Sequence, residues 1–93
     1  MDFEWDAQKA AENLRKHGIA FSEAIGIFHD PQRIEREDTR LPYGETRIEV
    51  IGLVGVRVLV VIYTPRADRI RIISARKANQ RERRAYDTSE ASS

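Results

Sequence analysis

The chain reads as an α+β domain in which two N-terminal helices pack on a three- to four-stranded antiparallel sheet and a short C-terminal helix completes the fold. Three observations carry this reading. Apolar and small residues recur at helical spacing before residue 30, and they alternate or run together in three strand-length segments after residue 46. A capping pair, Asn79 and Glu82, follows the last of those segments.

Phe3 and Trp5, set among acids, form a short edge strand or an aromatic anchor on the sheet. Asp6 then caps a helix, because its carboxylate accepts from the exposed amides of the first turn. Ala7, Ala10, Ala11 and Leu14 give that helix a small-residue face from about Ala7 to Lys16. Lys16-His17-Gly18 ends it, since cations suit the negative helix terminus and glycine adopts the left-handed conformation beyond it. Phe21, Ala24, Ile25, Ile27 and Phe28 make a second short helix, which Asp30-Pro31 breaks.

Apolar content is thin from Arg33 to Glu37, which admits at most a weak edge strand, and Pro42-Tyr43-Gly44 turns the chain. Thr46 to Val54 alternates, while Val56 to Thr64 is apolar on both faces and is therefore the central strand. Gly55 makes the tight connection between them, Pro65 to Asp68 forms the next turn, and Arg69 to Ser74 is the third strand of a meander. Unbroken two-residue periodicity puts Ile70, Ile72, Ser74 and Arg76 on one face and Arg69, Arg71 and Ile73 on the other; a bulge reverses the placing of Arg76. The last helix runs from Gln80 to about Tyr86, so residues 1–87 form a single domain and 88–93 a flexible tail.

Ninety-three residues, 41% hydrophobic and 33% charged, suffice for one modest core. The chain has no cysteine, which removes disulfides and thiolate metal sites, and no basic leader precedes an apolar run. The longest apolar stretch, Val58 to Tyr63, is far below membrane-spanning length, so a soluble, cytoplasmic protein is expected. The formal net charge of +1 hides a strong asymmetry: residues 57–84 hold nine cationic side chains against two acidic ones. A solvated strand face is the ordinary explanation of such arginines. So lopsided a patch repels itself, however, and phosphate would relieve that repulsion, for which the planar guanidinium fork is suited.

The glycines, at 18, 26, 44, 52 and 55, do not have the spacing of nucleotide-cradling loops. A polynucleotide needs only a positive surface with aromatic rings nearby, which Tyr63, Tyr86 and Tyr43 can supply. His17 and His29 lack the spacing of a helical zinc pair, and the acids from Glu35 to Asp38, interleaved with arginine, read as a solvated loop; neither metal nor cofactor is expected. RNA cleavage without a metal uses the ribose 2′-hydroxyl as nucleophile, with the protein stabilising the phosphorane and moving two protons. Histidine, titrating near pH 6.5 in water, makes His17 a candidate proton acceptor, with a helix-end cap as its plainer role. Tyr86 and Glu82 are four residues apart on the last helix and can touch.

Phe3-Glu4-Trp5-Asp6, Asn13 with Lys16-His17-Gly18, Phe21 with Glu23-Ala24, Phe28 before Asp30-Pro31, Gly44-Glu45 with Arg47, and Val61 to Thr64 together resemble the BrnT toxin family. The stretch from Ile70 to Arg76, with Ala78, Glu82-Arg83 and Tyr86, is similar to that family's signature. The resemblance implies a RelE-like fold and a ribonuclease toxin of a type II toxin–antitoxin pair that cleaves RNA without a metal. Its implied partner is a BrnA-like DNA-binding antitoxin, through which alone the complex would reach operator DNA. Carried onto matching positions, the implied catalytic residues are Arg76, Glu82, Arg83 and Tyr86, with His17 and Tyr63 as further members. Arg76 and Arg83 would stabilise the phosphorane, Tyr86 or His17 would move protons, and Arg47, Arg57, Arg66, Arg69 and Arg71 would position the RNA strand. The rival reading is a non-catalytic module whose basic face binds RNA or an acidic protein.

Overall fold

The computed structural model describes residues 1–92, with side chains described through Thr88. Its elements are β1 (Asp2–Glu4), α1 (Ala7–His17), α2 (Phe21–Ala24) continuing as a 3-10 turn (Ile25–His29), β2 (Ile34–Glu37), β3 (Ile48–Val54), β4 (Arg57–Arg66), β5 (Arg69–Lys77) and α3 (Gln80–Ser92). The helix α3 thus passes the Tyr86 end expected from sequence. The expected tail at 88–93 falls mainly on side chains outside the described residues, and on Ser93, which lies wholly outside them. Among the described residues no helix is long and apolar enough to cross a membrane.

The sheet corrects the sequence expectation. It has five strands in the order β1-β5-β4-β3-β2 and is mixed, because β1 runs parallel to β5 with Phe3 opposite Ile70. The two added strands are three and four residues long, and β2 carries three charges in its four positions. Segments so short show no periodicity, and the pairing of the first strand with the last is a contact between distant parts of the chain. The turn between β4 and β5 is also tighter than expected: Pro65 remains in β4, paired with Ile70, leaving Ala67 at a φ of 52° in the turn itself. Proline is tolerated there because β3 pairs β4 only as far as Tyr63, so beyond it β4 is an edge.

Each face of the sheet buries a different set. On one, Val50, Leu59, Val61, Ile72 and Ala75 meet Ile19, Phe21, Ala24 and Ile27 from the helical N-terminal segment. Aromatic contacts seal its margin, with Phe28 5.3 Å from both Phe3 and Tyr63. On the other, Ile51 and Val60 meet Tyr86 of α3. Gly52 lets the 3-10 turn approach β3, since a Cβ there would lie 2.7 Å from Ile27 Cγ1. That approach brings Asp30 to the β3 edge, where its Oδ2 accepts from the Leu53 amide at 2.8 Å.

A bulge in β5 sets the phase of everything after it. Ile62 faces Ser74 but Tyr63 faces Ile72, so Ile73 has no opposite number and the alternation shifts by one. Ala75 therefore turns to the N-terminal helices and Arg76 to the α3 side, the same side as Arg69 and Arg71. Asn13 holds the shifted strand. Its Nδ2 donates to the carbonyls of Ala75 at 2.8 Å and Ile19 at 2.9 Å, and its Oδ1 accepts from the Ala75 amide at 3.1 Å. The Asn13→Ala chain leaves three buried polar backbone groups short of a partner and should lose on the order of 3 kcal/mol in urea unfolding.

Candidate active site

The start of α3 is built by its capping box. Asn79 Oδ1 accepts from the Glu82 amide at 2.8 Å, and Glu82 Oε1 accepts from the Asn79 amide at 2.9 Å. The same carboxylate receives Arg76 as a two-pronged pair, Nη1 to Oε1 and Nη2 to Oε2, both at 2.8 Å. Arg76 bonds hold Glu82 below its ordinary pKa against the opposing effect of burial, while Glu82 raises the already high pKa of Arg76. Arg76 keeps 36% of its side chain exposed, so its remaining N–H groups can reach an anion.

Two further ion pairs lie beside it, and a cation–π stack forms just before β3, none of the three foreseen from sequence. Arg36 contacts Glu49 across β2 and β3 at 2.8 Å, and Arg40 grips Asp38 through Nε and Nη2 at 2.8 and 2.9 Å. Arg47 stacks on Tyr43, with its guanidinium carbon 4.1 Å from the ring centroid. Arg36 lies close enough to Glu82, and Glu49 and Arg40 close enough to Arg76, to act on their charges. One signal was present in the sequence: Ile34 and Arg36 are two apart, so a strand places them on one face.

The expected site residues divide. Arg76 and Glu82 come together, whereas Arg83 faces a different hollow with Arg57 and Lys77. Tyr86 is 3% exposed and its hydroxyl donates to Asp30 Oδ2 at 2.6 Å, tying α3 to the 3-10 turn. Burial opposes charge on Asp30, but bonds from Tyr86 and the amides of Leu53 and Gln32 outweigh it and lower its pKa. Tyr63 lies on the opposite face, its hydroxyl donating to Glu35 at 2.7 Å, and burial with that carboxylate pushes it up to about 12. His17 lines a hollow with Lys9, Glu12, Ile73 and Ser74, apart from the Arg76 group.

The positioning arginines are mostly neutralised by acids distant in sequence. Arg69 and Arg71 share Glu4, Arg66 approaches Glu45 at 3.6 Å, and Arg57 meets Glu23 at 2.6 Å. No ion pair engages Arg81, Arg83 or Arg84 among the described residues, so α3 presents three open guanidiniums.

A family model described as the ribonuclease toxin BrnT of type II toxin–antitoxin systems matches residues 5–82, which takes in Arg76 and Glu82 and stops short of Arg83 and Tyr86. Among curated proteins none matches.

The Tyr86→Phe chain loses a hydrogen bond to a charged acceptor and should be destabilised by about 2 kcal/mol in urea unfolding. Acid provides a second check. Because Glu4, Asp30, Asp38 and Glu82 all have folded pKa values below their ordinary ones, their stabilisation is complete above about pH 5 and is lost as pH falls through the carboxylate range. The urea midpoint should drop on acidification through that range, and Asp30→Asn should make the drop shallower.

Proposed function

Because the chain belongs to the BrnT family of ribonuclease toxins from type II toxin–antitoxin systems, we propose that it cleaves RNA by attack of a ribose 2′-hydroxyl, without a metal, and thereby inhibits translation. The observation that carries the reading is Arg76, held in a fixed pose by Glu82 and still open to an anion. In this scheme the 2′-oxygen bonds to phosphorus and surrenders its proton, the bond from phosphorus to the 5′-oxygen breaks, and that oxygen takes up a proton. The products are a 2′,3′-cyclic phosphate and a free 5′-hydroxyl.

Arg76 meets the extra negative charge of the phosphorane, and its fixed orientation avoids reorganisation at the moment of reaction. Glu82, with its pKa lowered, is a poor base and serves to hold Arg76. Arg83, with Lys77 beside it, follows the RNA backbone along α3. Tyr86, engaged by Asp30, positions α3 and hence Glu82. The proton carriers are left to the RNA and water unless the chain rearranges, since His17 and Tyr63 stand away from Arg76. The proposed partner is a small DNA-binding antitoxin of the BrnA type, which silences the toxin and alone brings the complex to operator DNA.

One observation favours the rival reading of a module that binds without cutting: Arg57, Arg66, Arg69 and Arg71 already have carboxylate partners. A single assay separates the two. Purified chain incubated with RNA and EDTA should yield 2′,3′-cyclic phosphate ends, and Arg76→Ala should slow cleavage by about 10²–10³-fold while keeping the native circular dichroism spectrum. RNA retained but recovered whole would decide for the binding module, and a requirement for Mg²⁺ would remove the 2′-hydroxyl scheme.

A further inference from the structure

Between α3 and the strands β2 and β3 lies a groove of about 390 Å³. Its apolar lining comes from Ile34, Ile51 and Ala85, and its charged lining includes Arg36, Arg81 and Glu49. We infer that this groove is a subsite for one unstacked guanine of the RNA, an inference that rests on the ribonuclease reading and names the base beside the reacting phosphate.

Glu49 is the first reason. It is only 6% exposed, yet both contacts from Arg36, through Nε and Nη2 at 2.8 Å, fall on its Oε1. Among the described residues no hydrogen bond reaches its Oε2. Among the described residues Arg47 Nε is the side-chain polar atom that is both sealed from solvent and without a partner, so Oε2 of Glu49 is not fully sealed. A largely buried carboxylate that lines the groove and has one oxygen bonded to nothing in the chain can accept from a ligand seated there.

The lining chemistry selects the ligand. Phosphate is disfavoured, because Glu49 and Glu82 offset Arg36 and Arg81 and leave the groove lining without net positive charge. A flat base instead covers the apolar lining and meets both hydrogen-bonding characters. Guanine has two adjacent donors, N1–H and the 2-amino group, with no acceptor between them to repel Oε2 of Glu49, and its O6 and N7 accept from arginine. Adenine, cytosine and uracil each set an acceptor beside their single Watson–Crick donor, which a carboxylate repels. Position agrees with this choice: Glu82 borders the groove and holds Arg76, so a base seated here carries its phosphate toward that guanidinium. The cross-strand partnership of Arg36 with Glu49 explains their mutual contact, but not the apolar lining beside them.

The test titrates the four nucleoside 3′-monophosphates against the isotope-labelled chain while following backbone amide shifts, and maps the cut sites on a mixed-sequence RNA. The guanosine nucleotide should perturb the amides of Ile34, Ile51 and Ala85 and bind at least about tenfold more tightly than the other three. Cuts should fall beside guanine. Glu49→Gln should flatten both preferences, and Ala85→Phe, which fills the groove from the exposed face of α3 and replaces no member of either ion pair, should abolish guanosine binding even if the Glu49 variant folds poorly. Equal binding of all four nucleotides, or shifts confined to other surfaces, would overturn the subsite. Guanosine bound in the groove by a chain that cuts no RNA would uphold the subsite and refute the nuclease reading. Cutting without base preference would do the opposite.

Discussion

The side-chain amide of Asn13 does the work of a missing strand. Where β1 stops, the outer edge of β5 would expose the amide and carbonyl of Ala75, and Asn13 satisfies both from α1 while also binding the Ile19 carbonyl. Those bonds join the first helix, the loop that follows it and the last strand at one buried point. They also fix the strand just beyond its bulge, where the alternation of side chains has shifted by one. Had the period continued unbroken, Arg76 would point into the layer of Phe21 and Ile27. With the shift it meets Glu82, and a candidate active site exists at all.

A second fixed point lies at the opposite edge. Asp30, delivered by the 3-10 turn across Gly52, accepts from the Leu53 amide beyond the end of β2 and from Tyr86 on α3. One carboxylate thus closes a sheet edge and anchors the terminal helix. Together Asn13 and Asp30 brace both ends of the platform on which Arg76 and Glu82 stand, and each is a polar group whose burial is tolerated because its hydrogen bonds are made.

Charge is distributed by the same folding. The cationic segment from residue 57 to 84 recruits Glu4, Glu23 and Glu45 from the acidic first half, while Arg76 stays partly open and the arginines of α3 have no ion pair among the described residues. Exposed pairs of this kind contribute little to stability, typically about 0–1 kcal/mol each. Their effect is to neutralise much of the cationic strand face, so that Arg76, Lys77 and the arginines of α3 remain as the open cations of that segment among the described residues.

Local pattern was enough to identify the helix that starts at Ala7, to within one residue of its end at His17, the meander of β3, β4 and β5 and the capping box of α3, because each depends on residues a few positions apart. The residues around Arg76 and Glu82 were likewise legible, through their order along the chain. What the sequence left open was settled by contacts between distant segments: the parallel pairing of β1 with β5, the bulge at Ile73, and the acids that neutralise each arginine. Arg36, Arg40 and Glu49 joined the site only when the sheet aligned β2 with β3. His17 and Tyr63 lie apart from Arg76 for the same reason: a side chain's neighbours depend on strand register and helix packing, which the whole core decides at once.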